Sequence, residues 1–340
     1  MTNFLIPNKN LIVPKRDAAI GFQHDVEQII KMVCHKVDAH GQIVHSRVAA
    51  QFPNLITTGG LDRIGNNNGA AAYCQVGTGT AAPSFGDNSL ANRIAGSNTE
   101  ISGGTTQQIV AGPPRYSSNV SGRRFAAGVA TGTLAEVGFG WATNGSLWNR
   151  ALIRDGAGNP TTITVLSDEI LDVYLETRIY IPTGDSAPFV LNLAGVDYTF
   201  VRRPMRNGQV NSPGGLSLGW GLTNAPGSMT QCGLNGDTGG GTGFQIGSAA
   251  WDGALAAENA ANPTGNRSGA NATMSAYVGG TNQRAGSLTW PVSQGNLAGG
   301  IDVVSVITNW SSWQFSVSPP IPKTSSQTLV LNVLQTWGRH

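Results

Sequence analysis

The sequence predicts an all-β protein, and three observations lead to this fold class. Residues 171–181 alternate between apolar and polar side chains, which is the pattern of a half-buried strand. Charged residues are only 12% of the chain, whereas helices usually cover their solvent face with Glu, Lys and Arg. Glycine is abundant at 46 residues, and Asn-Gly pairs recur, as in tight turns between extended segments. We therefore expect an antiparallel β-sandwich, jelly-roll-like, with long Gly-rich loops and an extended N-terminal arm.

The alternating stretch assigns two faces to one strand. Leu175 and Ile179 belong to the apolar face, which we expect in the core. Asp172, Glu176 and Arg178 belong to the other face, which we expect to be solvated and to carry cross-strand ion pairs. Upstream, two further apolar runs at 147–154 and 161–166 are separated by turn residues, so that three strands follow one another with short connections.

This block and three other segments resemble tail-fibre-like and otherwise unassigned virion structural proteins of tailed bacteriophages. The resemblance is carried by WNRALI and DGAGNPTTITVL within 147–181, FPNLITTGGLDRIG at 52–65, YCQVGTGTAAP at 73–83, and PPIPKT and LVLNVLQTWGR near the end of the sequence. The segments are spread over most of the chain, in order. The resemblance implies a particle component made in the host cytoplasm, with other virion proteins as partners. Symmetric assembly is the default for repeated subunits, so we expect a homo-oligomer. Trimers are common among the fibre-like appendages that the chain resembles, but no coiled-coil heptads specify three chains.

The first 16 residues alternate short apolar triplets with Pro, Asn and basic residues. An arm that packs on a neighbouring subunit or another particle protein is one interpretation, and an edge strand of its own domain is the alternative. The candidate attachment residues are Phe4, Leu5, Ile6, Leu11, Ile12 and Val13. We therefore divide the chain into an N-terminal arm and hairpin for particle attachment, residues 1–50, and a sandwich domain, residues 51–340, with a Gly-rich excursion at about 205–300.

A hairpin is predicted early in the chain, with residues 28–37 paired to 42–50 across a turn. Helical spacing of apolar residues within 24–34 leaves a short helix as the alternative there. Cys34, His35, His40 and His45 invite a zinc interpretation, but their spacing is not that of a common site. In a hairpin, Cys34 and His35 point to opposite faces, so we expect no metal.

In the middle of the chain, we expect a helical turn within 55–65 and short strands at 73–76 and 108–110. Residues 123–129 and 133–141 are predicted to form a hairpin around Thr131-Gly132, and residues 189–193 and 196–201 another one. The last apolar runs, at 301–308, 313–317 and 329–336, are expected to return to the sheet begun before residue 200, because its edges would otherwise stay unpaired.

Four aromatic residues are spaced along the Gly-rich stretch at 205–300: Trp220, Trp251, Tyr277 and Trp290. One interpretation is a platform that stacks on sugar rings of a host-surface glycan or receptor. The other interpretation is plain packing, in which each ring pins a loop to the core.

Composition also excludes classes of partner. The net charge is +2 and no block of like charges occurs, so nucleic acid is an unsuitable partner. No apolar run approaches the length of a membrane span or a signal peptide core, so we expect no membrane insertion. Three cysteines at wide spacing predict buried thiols and not a disulfide framework.

Catalysis would need a constellation of reactive side chains, and only carboxylates are candidates. In a strand, Asp172 and Glu176 lie about 13 Å apart, beyond the roughly 5 to 9.5 Å that glycoside hydrolysis requires of its carboxylates. No GxSxG, HExxH or P-loop motif occurs, and none of the five histidines has a recognisable nucleophile partner. We expect a non-catalytic virion component without cofactors, associated with the tail or baseplate. A head-decoration or collar subunit is the first alternative, and a carbohydrate- or receptor-binding adhesin is the second.

Overall fold

The structure, a computed structural model, describes residues 11–12, 19–65, 71–101, 106–110, 114–180, 182–205, 248–258, 260, 262–308 and 311–340. Its strands are β1 Leu11–Ile12, β2 Ile20–Val37, β3 Ile43–Pro53, β4 Leu55–Ile56, β5 Tyr73–Gly77, β6 Arg93–Ser97, β7 Thr106–Val110, β8 Tyr116–Phe125, β9 Gly132–Leu134, β10 Glu136–Gly140, β11 Asn149–Leu152, β12 Ile163–Val165, β13 Glu169–Tyr180, β14 Phe189–Leu193, β15 Val196–Met205, β16 Ala249–Trp251, β17 Arg267–Gly269, β18 Asn271–Met274, β19 Gln283–Trp290, β20 Ile301–Ile307, β21 Ser312–Ile321 and β22 Thr328–Arg339. One helix, α1, spans Thr58–Gly65 in the described ranges. The predicted all-β class is confirmed.

The largest sheet has nine strands and is built around β2. Its order is β18-β19-β22-β2-β13-β8-β7, with β1 added beside β22 and β3 beside β2. Most neighbours are antiparallel, as expected, but β1 and β2 both run parallel to β22. The strands β2 and β22 lie far apart in sequence, so no tight turn sets their relative direction.

Strand β2 is where a short helix was the alternative, and the helix is wrong. Its even-numbered side chains, such as Val26 and Ile30, are buried against the core, and the odd-numbered ones are half-buried or exposed. Both edges of β2 are hydrogen-bonded, to β13 on one side and to β22 and β3 on the other. The helical spacing was coincidental, because pairing on two edges decides the conformation. The hairpin of β2 and β3 is confirmed, with register shifts near Met32 and Lys36.

Strand β13 has the two faces that its alternation predicts. Leu175 and Ile179 are buried, and Glu176 and Arg178 are half-buried on the opposite face. The predicted ion pairs form, since Arg178 Nε lies 2.8 Å from Glu176 Oε1 and Arg178 Nη1 lies 3.3 Å from Glu27 Oε2 on β2. The expectation for Asp172 is wrong, because its side chain is only 1% exposed.

A six-stranded sheet has the order β14-β15-β21-β20-β16-β17. The predicted hairpin across Ala194-Gly195 is β14 paired with β15. Strands β20 and β21 return to β15, and β22 returns to β2, which confirms that the last apolar runs rejoin sheets begun earlier. Between them, β16 and β17 join the six-stranded sheet and β18 and β19 join the nine-stranded sheet.

A five-stranded sheet, β4-β11-β10-β5-β6, and the pair β12-β9 complete the fold. The predicted hairpin of residues 123–129 with 133–141 is wrong. Strand β8 pairs with β13 and β7, whereas β9 pairs with β12 and β10 pairs with β5 and β11. The chain turns at residues 127–129, where the Val129 amide donates to the Ala126 carbonyl, and Gly132, with φ at 135°, is the first residue of β9. This connection therefore carries the chain from one sheet to another. Other connections also carry the chain between sheets, since the consecutive strands β11, β12 and β13 lie in three different sheets.

The helix α1 confirms the helical turn predicted within 55–65. The hydroxyl of Thr57 accepts a hydrogen bond from the Gly60 amide at 2.9 Å, as an N-cap does. Leu61 and Ile64 are buried on one face of the helix. Apolar residues from all the large sheets pack in one core with this face.

Inside the core, polar side chains connect the sheets. Gln28 of β2 donates to the Thr177 hydroxyl of β13 at 3.3 Å and accepts from Asn149 Nδ2 of β11 at 2.8 Å. Asn149 Oδ1 in turn accepts from the Phe139 amide of β10 at 2.8 Å. Because every buried polar group here needs a partner, this chain of bonds fixes how the nine- and five-stranded sheets align.

Candidate functional site

The predicted attachment arm is only partly within the described residues. Leu11 and Ile12 form β1, which pairs in parallel with Thr328 and Leu329 of β22. Phe4, Leu5, Ile6 and Val13 lie outside the described residues. The arm therefore begins its described course as a two-residue strand beside β22, on the side of β22 that also pairs with β2.

Two of the predicted glycan contacts are packed inside the protein. Trp290 has no exposed surface, and its Nε1 donates to the Ser268 carbonyl at 3.1 Å. Trp251 is 5% exposed, and its Nε1 donates to the Ser305 hydroxyl at 3.0 Å. A sugar ring needs an open aromatic face, so in this fold both side chains are packing residues.

Tyr277 is half-buried and pins a loop to α1. Its hydroxyl donates to Asp62 Oδ1 at 2.5 Å, and burial together with this bond raises the pKa of Tyr277 to about 12. Its ring lies against Gly65, where an added Cβ would come within 2.4 Å of the ring, so only glycine permits this approach. Trp220 lies outside the described residues.

The structure assembles a groove that the sequence analysis did not identify. A groove of about 470 Å³, within the usual size range of small-molecule sites, lies where the outer face of β2 and β13 meets β15. Its lining includes Gln23, Asp25, Arg115, Tyr180, Arg202 and His340. The alternation of β2 and β13 places Asp25 and Tyr180 on the outer face. No local pattern indicates that Arg202 would approach them from another sheet.

Aromatic rings form one wall of this groove. The rings of Tyr180 and His340 are stacked, with centroids 3.9 Å apart and planes at 14°, and Tyr116 lies 5.4 Å from Tyr180. The Tyr180 hydroxyl donates to Glu27 Oε2 at 2.5 Å. Burial, with a contribution from this bond, raises the pKa of Tyr180. Tyr180 is therefore a fixed, uncharged ring at neutral pH, and the exposed His340 covers it.

Three charged side chains, Asp25, Arg115 and Arg202, line the groove. Arg202 lies over the Trp313 ring at 4.9 Å, and burial lowers its pKa. Asp25 accepts a hydrogen bond from Gln23 Nε2 at 2.9 Å. Among the residues that the structure describes, neither Arg202 nor Asp25 forms an ion pair within 4 Å. Arg115 pairs with Glu258 at 2.7 Å, but its Nε is buried without a partner in the described ranges.

A second polar cluster lies at the opposite end of β2 and β13. His35 Nδ1 is 2.7 Å from Ser46 Oγ, and His35 Nε2 is 3.1 Å from Asp172 Oδ2. These are the three residue types of a serine hydrolase triad, although no sequence motif marks Ser46 as a partner of His35. The contact was not recognisable because it depends on the register that places Ser46 opposite His35.

The surroundings of this cluster favour a structural role. Asp172 is held by Arg124 through two hydrogen bonds, at 2.7 and 2.6 Å, which raise the pKa of Arg124. The carboxylate charge is thus already compensated by the guanidinium of Arg124. The side chains are cross-strand neighbours on the outer face of a sheet, and the 470 Å³ groove lies at the other end of the strands.

Neither metal ligands nor membrane-spanning helices are found in the described ranges. No group of three or more His, Cys, Asp or Glu side chains there could hold a metal ion. Cys34 is buried and His35 lies on the opposite face, as the hairpin predicts. The helical part of the described chain is too short to cross a bilayer.

No protein-family model, curated protein or solved structure matches this chain.

Proposed function

We propose that this chain is a non-catalytic structural subunit of a tailed-bacteriophage particle, associated with the tail or baseplate and assembled as a homo-oligomer. A head-decoration or collar subunit is the alternative position. The resemblance of the segments within 147–181, 52–65 and 73–83 supports the particle assignment. These segments supply β11 to β13, α1 and β5, so the resemblance falls on parts of the chain that form the sheets and the core.

The observation that carries this proposal is a patch of exposed apolar side chains at one end of the molecule. The hairpin-end patch consists of Ile43, Val44 and Val48 of β3 with Val129 and Leu166 from neighbouring loops, each between 48% and 61% exposed. Arg47 of β3 donates to the Thr164 carbonyl at 2.9 Å and pairs with Glu169 at 3.0 Å, which holds β3 beside the loop of Leu166. Large clustered apolar side chains at a surface are typical of protein contact sites.

A second copy of this chain suits the patch better than a charged partner does. Two cations beside it are paired within the chain, Lys36 with Asp168 at 3.5 Å and Arg47 with Glu169 at 3.0 Å. Two copies would therefore bring apolar surfaces together without opposing unpaired charges of like sign. Repeated subunits of a symmetric particle make such contacts.

We further propose that the nine- and six-stranded sheets are the two layers of a jelly-roll-like sandwich. Contacts between them support this arrangement. Phe22 of β2 lies 6.1 Å from Trp313 of β21 between ring centroids, and Arg202 Nη1 of β15 lies 3.4 Å from the Gly21 carbonyl of β2. Far-ultraviolet circular dichroism tests the all-β class independently, and a helical content above about a quarter would contradict it.

Cryo-microscopy of the intact particle is the direct test of the function. We expect density for repeated copies of this chain at the tail or baseplate. Density at the head surface or the collar would favour the alternative position. Absence of the chain from purified particles would contradict the particle assignment altogether.

The attachment role of the N-terminal arm is tested separately by deleting residues 1–16. The described part of this segment contributes only the two residues of β1 to the sheet, so the remaining chain should fold. We expect loss of incorporation into particles. Full incorporation of the truncated chain would place the attachment surface elsewhere, and failure to fold would make the arm a core strand.

Carbohydrate binding is the second candidate function, and the groove at Tyr180 and Arg202 is the observation that favours it. Trp251 and Trp290 do not support it, because their rings are buried.

A further inference from the structure

We propose that the groove between β2, β13 and β15 binds a neutral saccharide. One sugar ring would lie against the exposed imidazole of His340, whose other face is stacked on Tyr180, and its hydroxyls would bond to Asp25 and Arg202. This inference goes beyond the particle assignment and does not depend on it.

The aromatic pair provides a fixed surface for the C–H face of a sugar. Tyr180 is part of β13, its hydroxyl is bound to Glu27, and its ring stacks on His340. A ring that is already immobilised loses little conformational entropy when a ligand covers it. The exposed imidazole of His340 extends this surface towards solvent.

The polar groups of the groove match a pair of adjacent hydroxyls. An ionised Asp25 only accepts hydrogen bonds and Arg202 only donates them, whereas each sugar hydroxyl can do both. Hydrogen bonds to charged groups are stronger than those between neutral groups, so each charge would fix one hydroxyl of the sugar.

Other ligand classes fit the same groups less well. The Asp25 carboxylate would repel a phosphate or an acidic sugar, and Glu258 already pairs with Arg115. A purely apolar ligand would cover a carboxylate and a guanidinium without satisfying either, which costs free energy. A neutral ring rich in hydroxyls avoids both penalties.

A solvated seam between two sheets is the competing interpretation of the groove. The neighbouring residue of β15 argues against it, because Arg203 pairs with Asp185 through two contacts, at 2.5 and 2.7 Å. Arg124, Arg150 and Arg178 are likewise paired with carboxylates. Within the described residues, Asp25 and Arg202 line one groove without forming an ion pair. Arg202 keeps its contacts with the Trp313 ring and the Gly21 carbonyl, so its other N–H groups and the Asp25 carboxylate are what the groove offers a ligand.

The test uses the purified full chain and a glycan array of neutral oligosaccharides built from glucose, galactose, rhamnose and N-acetylhexosamines, followed by titration calorimetry with the best binder. We expect Asp25→Asn and Arg202→Gln each to weaken binding about tenfold or more, since each removes a hydrogen bond to a charged group. Arg203→Gln, the matched control on the same strand, should bind like the unmodified chain. Thermal unfolding of all three variants checks that they are folded.

Three outcomes would overturn the proposal: no neutral oligosaccharide bound, binding unchanged in both groove variants, or binding confined to acidic sugars on an extended array. If Arg202→Gln is unfolded, saturation-transfer NMR with Asp25→Asn decides, because contact of the sugar protons with the protein should be lost in that variant alone. None of these outcomes bears on whether the chain is present in particles.

Discussion

The two ends of the β2–β13 strand pair are chemically opposite. At one end, Asp25 and Tyr180 line a groove in which the Asp25 carboxylate and the Arg202 guanidinium form no ion pair with any described residue. At the other end, about 36 Å away along the strands, Lys36, Arg47 and Asp172 each pair with an opposite charge, and the aliphatic residues Ile43, Val44 and Val48 are exposed. Both ends belong to one continuous ladder in which Tyr180 pairs with Asp25 and Glu169 pairs with Lys36.

This difference indicates that one sheet presents two kinds of surface. Charged groups without an ionic partner beside an aromatic ring favour the binding of small polar ligands. Such a ligand can form hydrogen bonds with the charged groups and pack against the ring. Exposed Val and Ile side chains surrounded by paired charges favour the binding of another protein surface. The free energy gained by burying apolar side chains is non-directional and grows with the area that is buried. The rigid strands between the two ends hold the surfaces apart, so occupation of one does not block the other.

The largest expected effect lies midway between the two ends, at Leu175. This side chain is 1% exposed and packs on the core side of β13, so Leu175→Ala should lower the free energy of unfolding by about 2 to 5 kcal/mol. Chemical denaturation measures this loss. Glu176→Gln is the matched control on the outer face, and its effect should be within about half a kcal/mol. Equal losses in the two variants would contradict the assignment of faces.

The next effect concerns the charge pairing at the hairpin end. Asp172→Ala removes the acceptor of both Arg124 and His35, and we expect a loss of about 2 to 3 kcal/mol, below that of a fully buried pair because Arg124 is partly exposed. Ser46→Ala removes only the exposed end of the cluster and should change the stability little. Hydrolysis of p-nitrophenyl acetate that disappears in Ser46→Ala would instead show that the cluster is catalytic.

Much of the fold follows from local sequence. The alternation of residues 171–181, the turn at 194–195 and the dense run at 301–307 each predicted a strand or hairpin that the structure contains. Pairing between distant strands did not follow. The partners of β8 and the parallel pairing of β2 with β22 depend on how three sheets share one core, and no short segment encodes that arrangement.

The candidate sites were harder to predict than the strands. The aromatic residues Trp251 and Trp290 stood out in a Gly-rich stretch, but large aromatic side chains bury readily and these two do. Tyr180 and Asp25 are unremarkable in sequence, and they become a site only when Arg202 approaches from another sheet. The hairpin-end patch could have been suspected from the aliphatic residues of β3, since Ile43 and Val44 are adjacent and cannot both face the core.

At the groove end, the pH dependence of stability should report on His24. Burial, with a smaller effect from the positive charge of Arg202, lowers the pKa of His24 from 6.5 to about 3. The unfolded chain therefore binds more protons between these two values, so the free energy of unfolding rises with pH in this window. The stabilising effect is complete above about pH 6.5 and is lost as the pH falls towards 3, by up to about 1.4 kcal/mol per pH unit.

Denaturant unfolding of the unmodified chain and of His24→Gln between pH 4 and 8 measures this effect. Carboxylates titrate equally in both proteins, so the difference between the two profiles isolates His24. We expect that difference to change with pH below about 6.5 and to be constant above it. Parallel profiles over the whole range would mean that His24 is protonated as readily in the folded protein as in the unfolded chain.

The smallest effect on stability and the clearest effect on assembly are expected from the hairpin-end patch. Val48 is 61% exposed on β3, so Val48→Glu should alter the free energy of unfolding by no more than about 1 kcal/mol. If the patch joins copies of the chain, the new carboxylate must be desolvated against a second apolar surface, and the oligomer should dissociate to monomers in sedimentation velocity at micromolar concentration.

Val190→Glu is the matched control, because Val190 is 58% exposed on an edge strand of the six-stranded sheet, away from this end. Dissociation by Val48→Glu alone assigns the contact to the hairpin end. Equal behaviour of the two variants would contradict this assignment, and the hairpin end of β2 and β13 would then have no demonstrated role in assembly. The groove at the other end would still be tested by saccharide binding.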